Sequence, residues 1–238
     1  HHKKQTPEKK EAVTAEINAA PPRSFLRADH VILGEASHGG GGETACLKVL
    51  CRRTGLSIDY PQTNKSTESN RRSLRHFKGR GSAEVEVTSD AAQELTEAVS
   101  LQGWAPIPAI PRDKPHHGQC ERQIGLQEES CRAQHLQAGF DHPLWPLSMT
   151  YTSIVLSATQ PAFDDASISK WRSALGEPFG GKMIPLGALV YYRTDDTLKF
   201  EPRAKPGLMA GWSLGHGQAY REVVLILDLE NLRSNKSS

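Results

Sequence analysis

The chain has 238 residues, 37% of them hydrophobic and 24% charged, with 29 Lys and Arg against 27 Asp and Glu for a formal net charge of +2. With a mean hydropathy of -0.52, this composition suits a soluble globular protein of one or two domains. It excludes a collagen-like chain, a coiled coil and a disulfide-dense mini-protein. No apolar run approaches the roughly 18 residues of a membrane span, and the polar N-terminus lacks the apolar centre of a signal peptide. Four cysteines, none in a C-x-x-C pair, fit a reducing compartment and a protein that is not secreted, and they argue against a structural zinc site. The chain opens at His1, which reads as a fragment, a processed product or an excised domain.

Residues 1–24 are rich in Lys, Glu, Ala and Pro and read as a disordered tail. Residues 25–33 (FLRADHVIL) form a predicted strand that runs into a glycine-rich loop at Gly39–Gly42. Residues 44–52 (TACLKVLCR) follow as a second strand with Leu47, Val49 and Cys51 on one face. Thr54-Gly55 marks a turn, and residues 56–60 (LSIDY) complete an antiparallel hairpin. Residues 66–78 read as a helix capped by Ser66, with Leu74 and Phe77 on its buried face. Residues 84–88 (EVEVT) alternate like a strand, and Ser89-Asp90 then caps a helix over residues 91–101. The prolines of residues 105–110 confine that segment to an edge strand or an extended loop. A long polar helix over residues 117–138 ends at Gly139, and a second, mostly apolar helix covers residues 144–158. Three successive strands followed by strands alternating with helices describe a mixed α/β sheet.

Residues 161–181 read as a linker with a short helix around Trp171. Beyond it, residues 184–193, 198–200, 207–214 and 220–229 all read as strands separated by Gly or Pro. This module, 182–233, suits a small five-stranded β-barrel, and residues 234–238 form a polar tail.

The acids at structural junctions are the most informative feature. Asp29 lies inside an apolar strand, Asp90 where the fourth strand ends, and Glu121 in the first turn of the long helix. An acid within a strand is costly unless it binds a cation or a partner, although Asp29 on an outward edge, Asp90 as a cap and Glu121 at a helix start are each compatible with a purely structural role. Three converging carboxylates would suit two divalent ions about 3.5–4 Å apart, the arrangement that clamps the attacking and leaving oxygens of a phosphoryl displacement. Between residues 61 and 82 there are six basic residues (Lys65, Arg71, Arg72, Arg75, Lys78, Arg80) and one acid, Glu68. That segment fits either a solvated helix face or a phosphate-contacting surface. Gly39–Gly42 lacks the following Lys-Ser/Thr of a phosphate loop, and no serine nucleophile elbow is present. His116 and His117 suit surface or capping positions, whereas Cys120, Cys131, Trp145, Trp171 and Trp212 suit packing.

The stretches VTSDAAQELTEAVSLQGW, PRDKPHHGQCER and HLQAGFDHPLWPLSM together resemble the core of copia-type retrotransposon integrases. Gly118, Glu121, Arg122 and Trp145 match positions of the family's motifs, and Asp29 in RADHVIL matches its first aspartate. GKMIPLGALVYYR, KFEPRAKPGLMAGW and YREVVLILDLENL resemble the small SH3-like barrel that follows this core in the parent Pol polyproteins. The resemblance covers roughly residues 25–230. It implies a ribonuclease-H-like catalytic core over 25–160, followed by the barrel. Departures from the pattern are Ala91 where the family has Asn, His117-Gly118 for Asn-Gly, and a slightly short interval of 31 positions between Asp90 and Glu121.

What the resemblance implies is a metal-dependent polynucleotidyl transferase and endonuclease. Asp29, Asp90 and Glu121 would hold Mg²⁺ or Mn²⁺ in a two-metal site, trim the 3′ ends of the element's DNA and join them to target DNA. DNA would be the partner, with several copies assembled on it in the nucleus or a cytoplasmic particle and no membrane involved. Backbone contacts would come from Arg71, Arg72, Arg75, Lys78, Arg112, Lys114 and Arg122, and from Lys199, Arg203 and Lys205 in the barrel. Two alternatives stay open: a decayed integrase that only binds nucleic acid, and another ribonuclease-H-like nuclease.

Overall fold

A computed structural model describes residues 7–32, 38–81, 84–90, 92–108, 114–193 and 203–234. Its centre is a five-stranded sheet formed by β1 (Phe25–Ile32), β2 (Ala45–Cys51), β3 (Ser57–Gln62), β4 (Glu86–Ser89) and β5 (Ala105–Pro108). The strand order is β3-β2-β1-β4-β5. The first three strands are antiparallel, and β4 and β5 run parallel to β1, so the expected mixed sheet is present. β2 is buried along its whole length, as its nearly continuous apolar run requires of a strand covered on both faces. The prolines of β5 sit at the sheet edge, where a missing N–H does least harm.

Helix α2 (Thr67–Lys78) starts at Ser66, whose side chain accepts from the Ser69 N–H. It ends at Gly79, whose backbone N–H returns to Arg75 O at 2.9 Å. Leu74 and Phe77 seal its buried face. Helix α3 (Gln93–Ser100) starts two residues later than the sequence suggested: Ala92 occupies its N-cap, and no side chain caps it. Asp90 is therefore not a capping residue but an exposed position just past β4. Helices α4 (Lys114–Ala138) and α5 (Trp145–Thr159) follow, joined through a 3₁₀ turn at His142–Leu144.

Three segments bear on the sequence reading. Pro7–Ala19 forms helix α1, although its composition pointed to disorder; Ala, Glu and Lys favour a helix even where few apolar residues are available, and Ile17 is buried. Residues 161–181 are packed, not a loose linker. They include α6 (Lys170–Leu175), with Trp171 buried in the main core and its ring 4.8 Å from that of Phe179. The C-terminal segment forms β6 (Leu189–Arg193), β7 (Ala204–Leu214) and β8 (Tyr220–Asp228), an antiparallel three-stranded sheet among the described residues, followed by α7 (Leu229–Ser234).

Among the described residues three antiparallel strands stand where a five-stranded barrel was expected, and the strand expected at residues 198–200 lies outside them. The sheet buries apolar residues by docking on the main core. Met209 and Trp212 belong to the same core as Leu26, Phe77 and Val87, and Trp212 stacks on Tyr151 with ring centres 5.0 Å apart. The β7–β8 hairpin tip is a second anchor. Gln218 donates to Tyr60 Oη at 2.8 Å, and Arg23 Nη1 donates to Gly217 O at 2.9 Å. Gly79 and Gly217 pass so closely that a Cβ on Gly79 would lie 2.6 Å from Gly217 Cα.

Candidate active site

Strand alternation separates the two faces of the central sheet. His30, Tyr60 and Gln62 face α2: His30 Nε2 and Asn70 Oδ1 are 3.0 Å apart, Tyr60 Oη and His76 Nδ1 are 3.0 Å apart, and Gln62 Nε2 donates to Ser73 Oγ at 3.1 Å. Asp29, Lys48 and Asp59 therefore face the opposite side, where Gln127 of α4 meets Lys48 and Asp59. They form one row, because Asp29 is paired in register with Lys48, and Lys48 with Asp59.

Asp90 extends the row. β1 and β4 pair Phe25 with Glu86, Leu26 with Val87 and Arg27 with Thr88. Continued two steps beyond the paired residues, the same parallel register sets Asp29 opposite Asp90, one residue past β4. The electrostatics agree with this placement. The half-buried Asp29 carboxyl is held above its ordinary pKa, first by burial and then by the charge of Asp90. The two aspartates singled out in the sequence, 61 positions apart, thus meet at one place. Glu121 lies on α4, six residues before Gln127, about 9 Å along the helix axis; its side chain is outside the described residues. Among the described residues, no group of three or more His, Cys, Asp or Glu side chains is gathered in a way that would hold a metal ion. The Asp29–Asp90 pair supplies two hard oxygen donors of the kind that Mg²⁺ and Mn²⁺ take.

The other end of the row is a buried network that sequence reasoning did not single out. Lys48 and Asp59 side chains are 3% and 0% exposed, with Nζ and Oδ1 3.5 Å apart. Gln127 bridges them, its Oε1 accepting from Lys48 Nζ and its Nε2 donating to Asp59 Oδ2. Burial pushes the Asp59 carboxyl up to about 6, against the opposing pull of the Lys48 ammonium. The one available signal was a lone Lys and a lone Asp within apolar strands, each at a position facing away from Leu47, Val49 and Ile58. Beyond this network, Lys170 donates to Gln123 Oε1 at 2.8 Å and Gln160 Oε1 at 2.6 Å. Burial, helped by the charge of Lys48, pushes its pKa down to about 8.

The basic residues are not gathered round the carboxylates. Arg71, Arg72 and Arg75 lie on α2, the helix that covers the other face of the sheet. Arg71 Nε and Arg72 Nε pair with Glu68 at 2.9 and 3.1 Å. Lys78, expected to contact nucleic acid, is buried and donates to Arg23 O at 3.1 Å, which ties the segment before β1 to α2. Arg122 is exposed on α4 and Arg203 is exposed just before β7. Lys205 pairs with Glu230 at 3.1 Å. Arg112 and Lys199 lie outside the described residues, as does the side chain of Lys114. Trp145, Trp171 and Trp212 are buried as packing residues, and so is Cys131. None of the described helices is long and apolar enough to cross a membrane.

No family model matches the chain, and neither does any curated protein. Among solved structures, the chain is similar to the catalytic core domain of BIV integrase, with a TM-score of 0.48 and 11% identity over 65% of this chain and 95% of that one. It is likewise similar to the HTLV-2 integrase catalytic core domain in complex with magnesium, in a trimeric form, with a TM-score of 0.47 and 8% identity over 65% of this chain and 97% of that one.

Proposed function

We propose that the chain is an integrase-type polynucleotidyl transferase of retrotransposon origin, acting on DNA phosphodiesters at the Asp29–Asp90 pair. The observation that carries this reading is the parallel β1–β4 register. Continued one residue past β4, it sets Asp90 beside Asp29, where burial of Asp29 and the charge of Asp90 favour an added positive charge. The strand order, with β1 central and flanked by an antiparallel hairpin on one side and parallel β4 and β5 on the other, supports the ribonuclease-H-like core that the sequence motifs imply.

In this reading Asp29 and Asp90, with Glu121 as the third carboxylate, hold divalent Mg²⁺ or Mn²⁺. Bound ions of this kind favour deprotonation of an attacking hydroxyl and offset charge on the phosphate oxygens. The protein fixes the positions. Asp29 is set within β1 and Asp90 directly after β4, so hydrogen-bonded strands hold or immediately precede both carboxylates before substrate arrives. Arg122, one residue beyond Glu121 on α4, together with Lys114 and Arg112, is the proposed contact to the DNA backbone. Arg203, Lys199 and Lys205 extend that contact in the C-terminal module. Both proposed reactions are in-line displacements at phosphorus. In the first, water forms the new P–O bond and a 3′ oxygen leaves; in the second, that freed 3′ hydroxyl attacks target DNA and another 3′ oxygen leaves. Several copies assembled on DNA, in the nucleus or a cytoplasmic particle, would bring the two ends together.

The test is a labelled-duplex assay with Mn²⁺ or Mg²⁺, resolving nicked and joined products. Wild type should yield both products, and Asp90→Asn should reduce them at least 100-fold. Nicking without joining would assign a simple nuclease. Salt-sensitive binding with no product at any metal concentration would mean that the copy has decayed.

A further inference from the structure

A second site lies on the face of the sheet turned away from the carboxylates. An open groove of about 580 Å³ runs between the C-terminal half of α2, the residues just after it, the turn that follows α3 and the β7–β8 hairpin tip. Its walls carry Arg71, Arg75, Arg80, Gln102, Trp104 and His216, and none of its lining residues is acidic. Arg71 shares Glu68 with Arg72. Arg75 and Arg80 are exposed and have no ion pair among the described residues. Arg71 and Arg75 are four residues apart on α2, so their guanidiniums line the same wall. Trp104 is half-buried, packed in part on the main core, so an indole shares the groove wall with the three guanidiniums. His216 reaches the groove only because the hairpin tip docks on α2, where its ring lies 5.4 Å from that of His76.

We infer that this groove binds the phosphodiester backbone of a nucleic acid strand, separate from any strand held at Asp29 and Asp90. Guanidinium forks match phosphate oxygens bidentately, and an aromatic wall beside them suits a base or sugar face. An enclosed small-molecule site would be more apolar and more covered. A groove open along its length, cationic and free of acids on its walls, suits a continuous polyanion. The inference rests on these residues alone and needs neither a metal ion nor the carboxylate pair.

The test uses the full chain in EDTA with fluorescein-labelled 20-mer DNA, single-stranded and duplex in separate arms, followed by anisotropy across a salt series. Arg75→Glu/Arg80→Glu should weaken binding at least 10-fold near 100 mM salt. It should also flatten the log–log salt dependence by about 1.4 for a single strand or about 1.8 for a duplex, the slope that two phosphates carry when they are no longer neutralised. The stronger arm identifies the form of nucleic acid held. Trp104→Phe should lose the tryptophan quenching that DNA produces in wild type. Arg172→Glu/Arg193→Glu carries the same charge change on exposed residues outside the groove and should bind within twofold of wild type. The inference is overturned if this control pair weakens binding as much as the groove pair, if the groove pair binds like wild type, or if a poly-glutamate peptide of equal charge competes as well as DNA. The readout is binding in EDTA and not product formation, so a chain that fails to nick DNA can still pass this test and the two readings fail separately.

Discussion

Replacing Lys48 by Met should cost about 3–5 kcal/mol, the range for a buried ion pair stripped of one partner. Both side chains are essentially inaccessible, and among the described residues the Asp59 carboxylate would keep only the Gln127 amide as a side-chain donor. Asp59→Asn alone should cost a similar amount, because Lys48 then becomes the unpaired charge. Lys48→Met/Asp59→Asn removes both charges and retains an acceptor for Gln127 Nε2, so it should unfold within about 1 kcal/mol of wild type. Urea unfolding followed by fluorescence of the buried tryptophans measures all three variants. With a slope near 3 kcal/mol/M, each single substitution shifts the midpoint down by about 1–2 M and the double hardly at all. The pH dependence adds a second reading. The folded pKa of Asp59, about 6, lies above the ordinary value near 3.9, so the folded state holds this proton more tightly. Its contribution to stability is full below about pH 4, is lost as the pH rises through about 6, and is level above that. In Lys48→Met the pull of the ammonium is gone, so the loss deepens and extends to higher pH. Additive single effects, with the double variant worse than either, would refute the reasoning.

Other perturbations probe the geometry. Asp90→Asn removes a charge that raises the Asp29 pKa, so Asp29 should titrate at lower pH, as read by carboxyl carbon NMR without metal; an unchanged or higher value would separate the two acids. Gly79→Ala places a side chain at φ +79° and 2.6 Å from Gly217 Cα, which should cost about 2–3 kcal/mol in thermal unfolding; a change below about 0.5 kcal/mol would mean that the hairpin tip does not dock there. Trp212→Ala, at a residue 2% exposed and stacked on Tyr151, should cost about 3–5 kcal/mol. It should also make the segment after residue 181 cleave first in limited proteolysis. Indifference in both readouts would show that the C-terminal sheet is not part of the core.

What was legible in the sequence was what local chemistry settles. Ser66 announced the start of α2, Leu74 and Phe77 its buried face, and the prolines of residues 105–110 a place at the sheet edge. The tryptophans read as packing residues are packing residues. Partners distant along the chain were less readable. The apolar alternation of β7 shows that one face must be covered, but a barrel interior and a docking site on Tyr151 look alike in that pattern. Asp90 follows a strand and precedes a helix, so capping and chemistry make the same local demand; the later start of α3 separates them. The groove could not be read at all, since Trp104 and His216 meet the α2 arginines only through tertiary docking.

The row across the sheet explains why the carboxylate pair keeps its character. Lys48 stands in register with an aspartate on either side, Asp29 on β1 and Asp59 on β3. Its ammonium can neutralise only one of them closely. The turn at Gly55, where Gly55 N donates to Cys51 O at 2.9 Å and Cys51 N to Leu56 O at 2.8 Å, fixes the β2–β3 register. Gln127 then locks the ammonium toward Asp59 from above. Asp29 is left with Asp90 as the carboxylate next to it, and its pKa is raised first by burial and then by that charge. A Lys48 turned the other way would cancel the negative charge at the β1–β4 end and remove the attraction for a cation there. The buried network is thus an electrostatic condition for the proposed chemistry as well as a stabilising contact, because it decides which aspartate the Lys48 ammonium neutralises.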